Sequence, residues 1–163
     1  MALSSEKNDV EFTDLPQICD ALYLGGTTCG AMFGEALVVV TNDLKEDMRF
    51  LIKQRGGLLA KGRLMGVQFD ALLEGGRYLD LGEHAVRMAT MLAKGIAGRG
   101  YEFYVPQETN MVFAMFPKEQ AEFLATKVMF ETYPVVTETH QCIRLVTSWG
   151  TTQDEVEAFL ALI

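Results

Sequence analysis

Asp20-Ala21-Leu22-Tyr23-Leu24-Gly25-Gly26-Thr27-Thr28-Cys29-Gly30 runs from an apolar segment into a glycine-rich turn, and Ala31-Met32-Phe33-Gly34-Glu35-Ala36-Leu37-Val38-Val39-Val40 leads out of it along a second apolar segment. The runs at residues 21–24 and 36–40 are short, partly β-branched or aromatic, and close to glycines. That combination favours two buried strands over helix. On pattern alone the six residues from Gly25 to Gly30 form a glycine-rich turn after a strand.

The same residues resemble the lysine loop of the threonine aldolase and β-eliminating lyase family of pyridoxal phosphate (PLP) enzymes. In that family the segment reads D-x-x-Y-x-G-G-T-K-x-G-A-x-x-G-E-A. Every fixed element except the lysine is present here at matching spacing, and Thr28 stands where the lysine belongs. The resemblance continues through Lys53-Gln54-Arg55-Gly56-Gly57, Leu59-Ala60-Lys61-Gly62-Arg63-Leu64, Thr109-Asn110-Met111-Val112-Phe113 and Arg144-Leu145-Val146-Thr147-Ser148-Trp149, from Asn8 to Ile163.

The resemblance implies an α/β chain, the C-terminal part of a fold-type I PLP-dependent transferase-like fold, ending in a small α+β domain. It divides the chain into residues 1–41, a remnant of the large PLP-binding domain with its last strands and lysine loop; residues 42–77, connecting helices; and residues 78–163, the small domain. Relatives of this type carry the lysine past their midpoint, so this chain is expected to be the C-terminal half. The other half is expected to hold the phosphate-cradling loop, the ring stacked on the cofactor and the aspartate that pairs with the pyridine nitrogen.

A PLP enzyme holds its cofactor as an imine on a lysine amine. Thr28 offers a hydroxyl, which forms no imine, so PLP belongs to the family but covalent binding is not expected in this chain. The neighbouring Thr27 and Thr28 hydroxyls, with the glycine amides, are candidates for gathering an anion such as a phosphate.

Arg144 lies on a segment where Ile143, Leu145 and Thr147 point one way and Arg144, Val146 and Ser148 the other. By pattern it is a solvated strand arginine. By resemblance it is the arginine that binds the substrate's α-carboxylate, a role that suits a guanidinium fork. Arg63 matches a basic position that contacts the phosphate or a neighbouring subunit, and reads equally as a solvated helix start. Asn110 is a candidate cleft residue, although an asparagine at a strand start more often serves a turn. His84, at the edge of a helix, and His140, in a hairpin turn, have no serine or cysteine partner readable as a triad.

The length of 163 residues fits one domain, and 49% apolar with 22% charged residues is a globular composition. The formal charge of −8 removes the usual driving force for gripping nucleic-acid phosphates. No apolar run reaches the roughly 18 residues of a membrane span, and the first ten residues lack a signal-peptide core. A cytoplasmic location is expected. Cys19, Cys29 and Cys142 are odd in number and widely spaced, which disfavours a disulfide scaffold and structural zinc.

Along the chain, residues 1–12 are expected to be a loop or untethered end, with Asp14 capping a helix that starts at Leu15-Pro16. From Asn42 a helical period puts Leu44, Met48, Leu51 and Ile52 on one face, ended by Gly56-Gly57. A second helix covers residues 64–73. A third starts near Leu79, carries Leu81, Ala85, Met88, Leu92 and Ile96 on one stripe, and closes at Gly98-Arg99-Gly100. Strands follow at 103–105 and 110–116, then a helix from Pro117 through Met129 with Pro117 in its first turn. Residues 133–137 and 142–147 read as a strand pair. Thr152-Gln153-Asp154-Glu155 fits a capping box ahead of an apolar face of Val156, Phe159, Leu160 and Ile163.

Two functions follow. The first is the C-terminal fragment of a threonine aldolase-like lyase, a family that cleaves β-hydroxy-α-amino acids to glycine and an aldehyde, inactive as this chain. The second is a non-catalytic dimerisation or regulatory module derived from such an enzyme. An amino acid substrate and a homo-oligomer are the partners the resemblance implies.

Overall fold

The computed structural model describes residues 2–163. Met1, part of the expected polar loop, lies outside the described residues. The rest of that segment is not all loop, since Ala2–Ser4 closes a 3-10 turn. The described residues divide into two compact units: Asp9–Leu79, and Asp80–Ile163 together with residues 2–8.

In the first unit, helix α1, Leu15–Ile18, is a single turn with Pro16 in it. Asp14 does not cap it. Its carboxylate instead accepts the Glu11 backbone N–H at 2.9 Å, closing the 3-10 turn Phe12–Asp14 that precedes the helix. Strands β1, Ala21–Gly25, and β2, Glu35–Val39, pair antiparallel, with Ala21 opposite Val39 and Gly25 opposite Glu35. The expectation of buried strands fails. Tyr23 is 70% exposed, Leu37 and Val38 are also exposed, and Leu24 alone of the ten is a buried hydrophobic. Apolar strands are buried by a second layer, and this two-stranded ribbon is a sheet of its own.

The helix expected from Asn42 is broken in two. A 3-10 turn at Asn42–Leu44 is followed by α2, Met48–Gln54, because Asp47 takes a left-handed φ of 55° between them. Leu44 and Leu51 are exposed, so the expected stripe does not face a core. Helix α3, Arg63–Leu73, matches its expected span to one residue. Gly75 and Gly76, at φ 65° and 80°, turn the chain straight into α4, Arg77–Ala97, which therefore begins two residues before Leu79.

In the second unit, the α4 stripe delivers Ala85, Met88, Leu92 and Ile96 to the core, while Leu81 is half-buried. The core is completed by Val112, Ala114 and Phe116 from β4, Met111–Pro117; Ala121 and Leu124 from α5, Lys118–Ala125; Ile143 and Leu145 from β6, His140–Val146; and Val156, Phe159 and Leu160 from α6, Gln153–Leu160. With β3, Glu102–Phe103, and β5, Glu131–Val136, the strands form one antiparallel sheet in the order β3-β4-β6-β5. A Cβ on Gly95 of α4 would overlap the methyls of Leu160, so close approach to α6 requires glycine there.

Three expectations in this unit change. The helix after β4 ends at Ala125 rather than Met129, closed by the Thr126 hydroxyl donating to the Phe123 carbonyl at 2.7 Å. Pro117 is the last residue of β4, extended at ψ 141°, and stands before the helix rather than in its first turn. Asn110, expected to open the strand, lies in the bend just before β4 and is buried: its Nδ2 donates to the Thr147 carbonyl at 2.7 Å, the Thr147 N–H donates back to the Asn110 carbonyl at 3.0 Å, and the Thr147 hydroxyl donates to the Ala85 carbonyl of α4 at 2.6 Å. This latch satisfies the polar groups that burial would otherwise leave unpaired.

The edge strand β5 is irregular between Thr132 and Val136, where Pro134 lies. Gln141 fills the irregularity by donating its amide to the Tyr133 carbonyl at 2.8 Å. A bulge and a proline on an edge discourage a further strand from adding. Among the described residues no helix is long and apolar enough to cross a membrane, and no group of three His, Cys, Asp or Glu is placed to hold a metal ion. All three cysteines are free.

Candidate functional site

The glycine-rich turn and the Arg144 strand belong to different units, and each has its own geometry. In the turn, Thr27–Cys29 forms a 3-10 segment ended by Gly30 in the left-handed region at φ 93°. The N–H groups of Cys29 and Ala31 both donate to the Gly26 carbonyl, at 3.0 and 2.9 Å. These two amides are therefore engaged within the turn. A Cβ on Gly26 would collide with that of Ala31 and come within 3.1 Å of the Phe69 ring, so the crossing of chain and α3 requires glycine.

Helix α3 ties down the second half of the loop. Gln68 accepts the Met32 N–H at 2.7 Å on its Oε1 and donates its Nε2 to the Leu64 carbonyl at 3.2 Å and the Phe33 carbonyl at 3.4 Å. Arg63, exposed, is the first residue of that helix. Thr27 is exposed and Thr28 half-buried, while Cys29 is buried.

Under the turn lies Tyr78, whose hydroxyl donates to the Gly25 carbonyl at 2.8 Å. Burial, and then the neighbouring Cys29 thiol, push the Tyr78 phenol up to about 12. Burial likewise pushes the Cys29 thiol up, against smaller opposing effects that include hydrogen bonds with Tyr78 and Thr28. A thiol held protonated in this way is a packing group rather than a nucleophile. Sequence reasoning passed over Tyr78 and Gln68 because each meets the turn across tens of residues, and no local pattern marks them.

Arg144 is on β6 with Phe113 of β4 directly opposite on one side and Glu131 of β5 opposite on the other. Its Nη2 is ion-paired to the Glu131 carboxylate. The guanidinium is neither fully solvated nor fully used, because its Nε is buried with no hydrogen-bond partner. Tyr133 meets Phe113 edge-on at 5.0 Å between ring centroids, and Tyr104 lies 5.8 Å from Tyr133. The sheet face thus presents one cation beside an aromatic cluster. Glu131 was absent from the sequence reading, since its pairing depends on the β5 register.

Both histidines are held by local contacts. His84 Nε2 lies 2.7 Å from the Thr151 carbonyl, and its Nδ1 lies 3.1 Å from Arg87 Nη2. His140 opens β6, its N–H accepted by the Thr137 hydroxyl at 2.9 Å.

A structure of threonine aldolase from Leishmania major matches with a TM-score of 0.93 and 35% identity, over 98% of this chain and 47% of that one. A low specificity L-threonine aldolase from Pseudomonas aeruginosa is 33% identical over 109 residues, 66% of this chain and 32% of its own length. The chain is a threonine aldolase homologue. It spans about half or less of the length of these relatives. A serine palmitoyltransferase from Sphingomonas wittichii shares the fold at a TM-score of 0.68 and 13% identity, over 99% of this chain and 43% of that one. No protein-family model matches. The chain corresponds to the C-terminal portion of fold-type I PLP enzymes, mixing helix and sheet.

The homologues are PLP-dependent, which allows the turn to be tested against that cofactor. It carries two hydroxyls and a buried thiol and no amine. These residues do not fit a covalently held PLP.

Proposed function

We propose that this chain is the C-terminal portion of a threonine aldolase-like lyase that is catalytically silent as it stands. The observation that carries the reading is Thr28 in the 3-10 turn after β1, at the place where the family motif has its lysine. In the intact family the reaction is cleavage of a β-hydroxy-α-amino acid to glycine and an aldehyde. On this reading residues 1–41 belong to the PLP-binding domain, 42–77 connect, and 78–163 form the small domain. Arg144 is the inherited carboxylate-binding position, with Arg63 and Thr27 as further inherited contacts.

The test is to incubate the chain and its Thr28→Lys variant with PLP and threonine, reduce a portion with borohydride, and measure both protein mass and acetaldehyde. The wild-type chain is expected to gain no cofactor mass at residue 28 and to release no aldehyde. Thr28→Lys restores the amine only and is expected to recover little or no turnover. Clear aldolase activity from either protein defeats the reading.

The exposed apolar side chains of the first unit, among them Met32 at 86% and Phe50 at 69%, favour a second role, in dimerisation or regulation of a complete homologue. Such a surface is what an association module presents.

A further inference from the structure

Resting on the reading of Arg144 as a carboxylate-binding arginine, we propose that Glu131 is a built-in competitor for that site, a carboxylate that an incoming one must displace. A guanidinium offers five N–H donors in a planar fork, and a carboxylate binds it best through two parallel hydrogen bonds. Glu131 engages Nη2, while Nε is left buried and unpartnered. The internal pair is thus a partial substitute for a bidentate ligand, and an unmet buried donor is a standing cost that a better-placed carboxylate relieves.

The two partners differ in freedom. The Arg144 side chain is 31% exposed and that of Glu131 is 73% exposed. Glu131, on the edge strand, can swing into solvent without disturbing the core, whereas Arg144 is flanked by Phe113 and β5 on a central strand. Exchange therefore proceeds by departure of Glu131 and entry of a free carboxylate along the Arg144 fork. Phe113 and Tyr133, with Tyr104 beyond them, supply an aromatic surface beside the cation. The ligand class is a small carboxylate bearing an apolar group.

An exposed ion pair is worth only a fraction of a kilocalorie to about one, so removing the competitor should tighten ligand binding by about two- to fivefold. The experiment titrates sodium benzoate, and separately neutral benzamide, into the full chain at constant ionic strength, following the Arg144 Nε–Hε resonance by NMR. Tyrosine fluorescence is the second readout for variants that lack the arginine, and far-UV circular dichroism checks their fold.

Benzoate is expected to bind the wild-type chain weakly, Glu131→Gln about two- to fivefold more tightly, and Glu131→Asp between the two. Benzamide should not bind measurably. Equal or weaker benzoate binding by a folded Glu131→Gln overturns the competitor, as does benzamide binding as well as benzoate. Arg144→Gln separates the two ideas: undiminished benzoate binding there defeats the arginine reading itself, whereas lost binding with no gain in Glu131→Gln defeats the competitor alone.

Discussion

The phenol of Tyr78 shows how one residue couples the loop to its support. It donates to Gly25, the residue that ends β1 and starts the turn, and burial holds it protonated up to about 12 against an ordinary value of 10.0. A group whose folded value is raised contributes stability that is complete below its unfolded value and lost as pH rises through the folded one. The first unit should therefore lose stability between pH 10 and about 12. Tyr78→Phe has no phenol to ionise and should flatten that alkaline loss while costing the Gly25 hydrogen bond at neutral pH. Denaturant midpoints of both proteins measured from pH 8 upward check this, and an unchanged alkaline slope would refute it. The same scale explains why the turn's chemistry was legible. An amine or its absence is a property of one side chain, readable without coordinates. The partners of that side chain are not, because Tyr78 and Gln68 arrive from distant helices.

Helix α6 is the element whose start was most fully written in its own residues. Thr152 accepts the Glu155 N–H on its hydroxyl at 3.3 Å, and the Glu155 carboxylate accepts the Thr152 N–H at 2.8 Å. The Thr152 N–H first, and then the Thr152 hydroxyl, which donates to the same carboxylate oxygen at 3.0 Å, hold the Glu155 carboxyl below its usual range. Thr152→Ala should cost about 1 kcal/mol of stability at neutral pH. For a depressed carboxyl the sign is reversed from Tyr78: its contribution is present above the ordinary value of 4.5 and disappears as pH falls through the lower folded one. Thermal melts at pH 7 and pH 3 should show the gap between wild type and Thr152→Ala narrowing in acid; a constant gap would count against it. The capping box of α6, the α4 stripe and the alternation along β6 are local patterns within a few residues, hence readable. The break at Asp47 and the early end of α5 turn on single backbone conformations and carbonyl contacts, and periodicity does not register them.

At the scale of the whole molecule, the second unit has a continuous apolar core shared by three helices and a four-stranded sheet, whereas the first leaves Tyr23, Met32, Phe50, Leu64 and Val67 largely exposed. Apolar surface left in water drives association. Sedimentation velocity across a hundredfold concentration range should show the chain self-associating. A single monomeric species throughout would mean that this surface is tolerated in water, and would remove the support for an association role. The substitutions Tyr23→Thr and Phe50→Gln should weaken the association without unfolding the second unit.

The chain's residues alone determined its homology, the order of its strands and long helices, the cap of α6, and the missing amine at Thr28, because each is carried by residue identity or by a period of two to four residues. Only the tertiary structure decided which strands are buried, that Asn110 and Thr147 form an internal latch, and that Glu131 faces Arg144. Those outcomes depend on register across an irregular edge strand and on which layers cover which faces. Both are set by contacts between residues far apart in the chain, where a local pattern has no reach.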